Sequence, residues 1–374
     1  MRLKWIVFGW FISSVCAACS PSGNWDDWNR YAERFVQADG RVIDLTFDQK
    51  STSEGQSYGL FFALVANDRP RFDAILNWTA LNLADGQLGS QLPGWVWGKR
   101  DDGSWGIKDT NSAADGDLWT AYALLEAGRL WKSPVYSGLG KKLLDMIAQK
   151  EIIDVGADKY LLPAPMGFVL DGGGLRFDPS YLPPFQFRYF GTIDPKGPWM
   201  PILDTYQRRM PDMFLHGLAP DLVRVTAQGA IEPDPERPTA SYDAIRVYMW
   251  AAMSGRDGIE QLPKLRGIVE IIRTRGAPPE KIEVASGKPV PNDYSPVGHM
   301  AAAIPYLQAV GETALADTLR SRLKLARMKS QLTKSANYYD ESLVLFALGY
   351  VDGYYRFDDK GQLLPRWAAA PAGS

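Results

Sequence analysis

Carboxylates stand where long apolar segments begin. Glu54 precedes the run Tyr58 to Ala66, Asp115 and Asp117 precede Leu118 to Trp131, and Asp243 precedes Ala244 to Met253. Tyr181, His299 and the stretch Asn337 to Asp340 hold the equivalent places ahead of three further runs. Two carboxyls that face one another can divide a hydrolysis between them. One donates a proton to the leaving oxygen, while the other activates water or attacks carbon. Each acid also has a simpler use. Near a helix N-terminus it caps backbone N–H groups and complements the dipole, contributing about 0.3–1 kcal/mol. Capping accounts for Glu54, Asp115 or Asp243 taken singly, whereas six coinciding positions point to chemistry. Asp117, two residues beyond Asp115, faces elsewhere on a helix and reads as a cap or a supporting group. Arg246 follows Asp243 by three residues and can either pair with it structurally or hold an ionised base.

The elements that must position these residues show two alternating helical patterns, one apolar on nearly every side and one carrying a single apolar stripe. Apolar all round are the six runs Tyr58–Ala66, Leu118–Trp131, Pro184–Gly191, Ala244–Met253, Met300–Val310 and Leu343–Gly349. Stripes follow them at Phe72, Ile75, Leu76, Thr79 and Leu83; at Leu139, Leu143, Leu144 and Ile147; and at Ile202, Leu203 and Tyr206. Two more run through Ile259, Leu262, Leu265, Val269 and Ile272, and through Leu319, Leu323 and Leu325. The segment bearing Trp25, Trp28, Tyr31 and Phe35 supplies a stripe for the last run. Helical hairpins that cannot bury their apolar face alone stack on their neighbours. The expected fold is therefore all-α, a closed toroid of six inner and six outer helices with all inner N-termini on one rim. Two stretches read as small β-insertions, Lys159–Leu170 and Tyr354–Leu364, the latter turning at Asp358 to Gly361. No linker interrupts residues 20–374, which are expected to form a single domain.

The chain has 374 residues, 46% hydrophobic and 22% charged, with a net charge of −2. No basic stretch suits a nucleic-acid surface. The 13 Trp and 17 Tyr are the compositional anomaly; sugars stack on such rings, and "LPGWVWGK" (Trp95, Trp97) with Trp105 lies in a loop region just before Asp115. His216 and His299 are too few and too far apart for a metal site, and no cofactor is expected. Residues 1–19 read as an export signal, with Arg2 and Lys4, then apolar Trp5 to Val15, then small residues, too short to span a bilayer. Cys19 after Ala17 and Ala18 also resembles a lipoprotein cleavage site, although Cys16 stands where leucine is usual. Both cysteines fall in this segment, so thiol chemistry and disulfides are not expected in the mature chain, a pattern that suits a bacterial periplasm.

The segments "TSEGQSYGLFFALVANDRPRFD", "NSAADGDLWTAYALLEAGRLW" and "SYDAIRVYMW" together resemble glycoside hydrolase family 8. "FDPSYLPP", "PPEKIEV" and "YYRFDDKGQLLPRW" extend the likeness over the whole mature chain, toward the branch encoded alongside bacterial cellulose synthase. The resemblance implies an (α/α)6 barrel and endo-hydrolysis of β-1,4-glucan with inversion. It further implies that Glu54 is the general acid, Asp243 the general base, and Asp115 the carboxylate that grips the distorted sugar. Tyr181 resembles the tyrosine lining that subsite and Arg246 the arginine beside the base. The family tends to carry Ser or Thr before the gripping acid, where this chain has Ala114. An inverting pair leaves room for a water, so the Glu54 and Asp243 carboxyls are expected about 6.5–9.5 Å apart. The implied substrate is a glucan chain, with a cellulose synthase complex as a further expected partner, and nothing in the sequence requires more than a monomer. Two other readings stay open: a hydrolase of another β-linked polysaccharide such as xylan or chitosan, and a non-catalytic glycan-binding subunit of an export complex.

Overall fold

The structure is a computed structural model that describes residues 25–292, 294–332 and 335–369. The expected export signal lies outside the described residues.

A helix that is apolar on every side can be stable only when other elements surround it, and six such helices here surround one axis. In chain order the first seven helices are α1 (Asp26–Phe35), α2 (Ser53–Val65), α3 (Arg69–Leu83), α4 (Ala114–Leu130), α5 (Pro134–Lys150), α6 (Pro184–Ile193) and α7 (Trp199–Met213). They continue with α8 (Ala244–Met253), α9 (Gly255–Ile259), α10 (Gly267–Arg275), α11 (Val297–Ala309), α12 (Thr313–Leu332) and α13 (Tyr338–Val351). Helix α2 packs on α4, α4 on α6, α6 on α8, α8 on α11, α11 on α13, and α13 returns to α2, which closes a ring. Outside it, α3, α5, α7, α9 and α12 each pack on the ring helix that precedes them, and α1 completes the set on α13. The amino-terminal helix therefore pairs with the last inner helix, as its stripe predicts. Trp25 stacks on Tyr354 with centroids 5.2 Å apart, and the Tyr31 and Ser342 hydroxyls are hydrogen-bonded at 3.1 Å.

Large rings fill the axis. Phe61 of α2 lies 4.8 Å from Trp119 of α4 and 5.3 Å from Phe346 of α13, while Trp250 of α8 lies 5.4 Å from Trp119 and 5.2 Å from Phe346. Phe185 of α6 joins this plug and is stacked at 3.8 Å by Phe357. Phe357 belongs to the expected hairpin, Tyr355–Phe357 paired with Leu363–Pro365, whose turn uses Gly361 at φ +76°. Edge-to-face ring pairs add about 0.5–1.5 kcal/mol each beyond their burial. The plug leaves the inner N-termini as the face open to chemistry.

Three expectations need correction. The outer stripe from Ile259 to Ile272 is not one helix but α9, a 3-10 turn at Leu262–Leu265, and α10. Pro263 removes a backbone donor there, and at Gly267 a Cβ would sit 2.3 Å from the His216 carbonyl oxygen, so the chain bends around a close contact. Within Lys159–Leu170 only the beginning is strand: Asp158–Leu161 pairs with Ile152–Val155, and Pro163 and Pro165 end the ladder. Helices α2 and α4 also begin earlier than the apolar runs suggest, which places Glu54, Asp115 and Asp117 inside first turns.

Candidate active site

The rim acids are largely excused from capping. Thr52 caps α2 by accepting from the Gly55 N–H at 3.1 Å, so Glu54 has no capping duty. Asp243 occupies the N-cap position of α8, yet its side chain makes no capping bond. Asp221 does that work instead, its Oδ1 accepting from Ser241 N at 2.7 Å and Ala244 N at 2.9 Å. Asp115 accepts from the adjacent Gly116 N–H at 2.8 Å through Oδ1 and keeps Oδ2 for other partners. The capping explanation of these acids thus fails for Glu54 and Asp243 and holds in part for Asp115.

Arg246, almost fully buried on α8, organises the cluster. Its Nη1 donates to Asp115 Oδ2 at 2.9 Å and to the Tyr58 hydroxyl at 2.9 Å. Its Nη2 donates to Asp243 Oδ1 at 2.8 Å and to Ser180 Oγ at 2.9 Å. The guanidinium also lies 5.4 Å from the Tyr181 ring centroid. Arg237 reaches Asp243 Oδ2 at 3.2 Å, so both oxygens of Asp243 are engaged by cations while its side chain remains 28% exposed. Arg246 therefore has both of the uses its spacing allowed: it locks α8 to α4 and it holds the candidate base. A buried guanidinium is tolerable only when several acceptors replace its water, and four polar partners do so here.

Glu54 is the counterweight. Its carboxyl is pushed up to about 8, first by burial and then by the Asp115 carboxylate, against the lowering effects of its own backbone N–H, the Trp95 indole N–H and Arg246. At this helix N-terminus desolvation and a like charge outweigh the groups that favour the anion, and the neutral acid is favoured. Helix α4 comes close enough for this coupling because it carries Gly116: a Cβ there would lie 2.9 Å from Ser53 Oγ and 3.0 Å from Glu54 N. Asp115 is itself raised, by burial first, with Arg246 opposing. The site therefore brings together a buried carboxyl held above its usual range and, bound by Arg246 and Arg237, a second carboxyl at the start of α8.

Asp117 is not a cap. It is fully buried behind Asp115 beside Glu151, and Ser112 commits its one hydroxyl proton to Glu151 Oε1 at 2.5 Å. Both carboxyls of this pair are raised, chiefly by burial, Glu151 to about 7. His299 also departs from a rim role. Its Nδ1 donates to the Pro279 carbonyl at 3.1 Å, its ring packs on Tyr242 at 4.9 Å, and burial pushes it down to about 4, so it is a neutral support for the residue before Asp243.

The tryptophans separate into two groups. Trp95 reaches the acid, its indole N–H donating to Glu54 Oε1 at 3.0 Å. Trp97 and Trp105 stack on each other at 5.2 Å, with Trp78 edge-on to Trp97 and Arg41 lying 4.3 Å and 5.0 Å from the two ring centroids. They form a platform that meets none of the carboxylates, and Trp105 is its exposed member at 45%. Sequence reasoning missed Tyr58, Ser180, Asp221, Arg237 and Glu151. Tyr58 was counted as one more apolar residue, and the other four carry no local pattern. Among the described residues no cluster of three or more His, Cys, Asp or Glu could hold a metal ion.

The family model for glycosyl hydrolases family 8 matches residues 3–353. The chain is 41% identical over 367 residues to an endoglucanase of Escherichia coli O157:H7, covering 96% of this chain and 95% of that one. It is 41% identical over 361 residues to an endoglucanase of Xanthomonas axonopodis pv. citri, covering 95% and 92%. The crystal structure of endo-1,4-D-glucanase from Vibrio fischeri ES114 superposes with a TM-score of 0.86 at 37% identity, covering 92% of this chain and 100% of that one. The closed ring of helix pairs is the (α/α)6 barrel of these enzymes, and the chain belongs to glycosyl hydrolases family 8.

Proposed function

We propose that this glycoside hydrolase cleaves β-1,4-glucan internally, with Glu54 as general acid and Asp243 as general base. The reading is carried by the contrast between two carboxyls: Glu54, sealed by burial beside Asp115 and pushed up to about 8, and Asp243, whose two oxygens face guanidinium groups. In this mechanism Glu54 protonates the glycosidic oxygen as its bond to the anomeric carbon breaks. A water attacks that carbon from the opposite face and gives its proton to Asp243. Asp115, held by Arg246, Tyr58 and the Gly116 N–H, grips the sugar at the cleavage point, and Tyr181 lines the same subsite. Trp95 supports a sugar next to the acid, and the Trp97–Trp105 platform supports the chain farther out.

The relatives' printed names, endoglucanase and endo-1,4-D-glucanase, support the substrate class. The amino-terminal pattern supports export to a bacterial periplasm, and no helix among the described residues is long and apolar enough to cross a membrane. We place the enzyme, acting as a monomer, beside a glucan-exporting synthase. The chemistry is tested by following cello-oligosaccharide cleavage with proton NMR. Inversion releases the α-anomer first at the new reducing end, with β appearing only by mutarotation. A β-anomer formed first would assign a retaining mechanism and remove Asp243 as base.

A further inference from the structure

Trp95 meets Glu54 in a way that sugar stacking does not require. The indole N–H donates to Oε1 at 3.0 Å, while Oε2 is sealed from solvent and has no hydrogen-bond partner among the described residues. An indole has one donor and no acceptor. Oε1 is thereby committed as an acceptor, and the indole fixes how the Glu54 carboxyl is turned. The main chain of Trp95 is held as firmly as its ring. Its N–H donates to the Asn111 carbonyl at 2.7 Å, and its carbonyl accepts from Ser53 N at 2.9 Å, tying it to the residue beside Glu54 and to the strand end before α4. Gly94 permits the approach, since a Cβ there would lie 2.9 Å from Ile107 Cγ2 and 3.0 Å from the Asp109 carbonyl oxygen. Yet the Trp95 side chain remains 42% exposed, so a sugar can meet the same ring that orients the acid.

We propose that Trp95 is a positioning residue for proton transfer, holding the Glu54 carboxyl in one orientation through Oε1 and so linking the seating of the leaving sugar to the aim of the acid. The proposal rests on the reading of Glu54 as general acid. The other groups that face Glu54 are the Asp115 carboxylate from α4, the Arg246 guanidinium from α8, and the phenols of Tyr58, Tyr181 and Tyr338. None of those phenols donates a hydrogen bond to Glu54, so Trp95 is the side-chain donor that distinguishes its two oxygens. The N–H favours the anion, so its removal raises the pH at which Glu54 loses its proton.

The test compares wild type, Trp95→Phe and Glu54→Gln on cellohexaose and on 2,4-dinitrophenyl β-cellotrioside, whose leaving group needs no proton. Trp95→Phe keeps a flat ring and loses only the donor and part of the stacking area. It is expected to lower kcat on cellohexaose about 10-fold, to change kcat on the aryl glycoside less than about 2-fold, and to move the alkaline limb of kcat/KM up by about half to one pH unit. An unmoved alkaline limb, or equal losses on both substrates, would make Trp95 a stacking platform and overturn the proposal. Glu54→Gln separates this from failure of the underlying reading. It should abolish cellohexaose cleavage and spare the aryl glycoside, and cellohexaose cleavage near the wild-type rate would remove Glu54 as acid whatever Trp95 does.

Discussion

Replacing Glu151 with Gln should stabilise the protein at alkaline pH while leaving it nearly unchanged near pH 5. Glu151 and Asp117 are both wholly buried, and neither Asp117 oxygen receives a hydrogen bond from an N–H or a committed hydroxyl. A proton shared between the two carboxyls would satisfy the pair, and burial beside Glu151 holds Asp117 well above the usual carboxylate range. Burial pushes Glu151 up from 4.5 to about 7. A group raised in this way binds its proton more tightly when folded, so its favourable contribution is complete below the unfolded pKa. That contribution is lost progressively as pH rises toward the folded value. At 1.36 kcal/mol per unit the loss between pH 4.5 and pH 7 is about 3 kcal/mol, an order-of-magnitude figure for a shared proton. The Gln side chain can still accept from Ser112 and donate to Asp117 without titrating. The gap between variant and wild type should therefore widen by about 2–3 kcal/mol from pH 5 to pH 8, or about 3–6 °C in Tm for a chain of this size. Thermal unfolding followed by circular dichroism at the two pH values measures it. A gap that is the same at both would show that no proton is held there and would refute the reasoning.

Asp221→Ala should cost about 1–2 kcal/mol of stability and lower kcat about 10-fold with little change in KM, because the turn carrying Asp243 loses its anchor. Asp221→Asn keeps the acceptor and should recover most of the rate; kinetics on carboxymethylcellulose distinguish the two. Gly116→Ala should reduce kcat about 10- to 100-fold and lower Tm by a few degrees, since a methyl group forces α4 away from Ser53 and Glu54 and separates the coupled acids. The same assay with a melting curve checks it, and a full-rate variant would show that the close approach is unnecessary.

The ring was legible because burial on all sides leaves a mark that needs no partner to be read. Tyr58–Ala66 and Leu343–Gly349 are apolar whichever way they face, and α1 could be assigned to α13 from its stripe. The carboxylates were legible as a rim for the same reason, since each sits where such a segment starts. Function could not be separated from capping in this way, because that depends on contacts distant in sequence. Asp221 relieves Asp243 of its cap from 22 positions earlier in the chain, and no spacing rule connects them. Tyr58 carries an apolar body and one polar tip, so periodicity counts it as core while its hydroxyl accepts from Arg246. Asp117 reads as a cap or a supporting group because its partner, Glu151, lies far along the chain, just past the end of the outer helix α5. Trp97 and Trp105 read as sugar platforms by composition, but packing with Trp78 and Arg41 gives Trp97 a structural role as well.

The account depends most on Glu54 as the group that protonates the departing sugar. Reducing-end release from carboxymethylcellulose by Glu54→Gln, with glucan binding measured on the same protein, tests this most directly. The predicted result is a rate at least about 10³-fold below wild type with binding retained, in keeping with the loss of a general acid. Hydrolysis within about 10-fold of wild type, a loss no larger than an auxiliary group would cause, would contradict it.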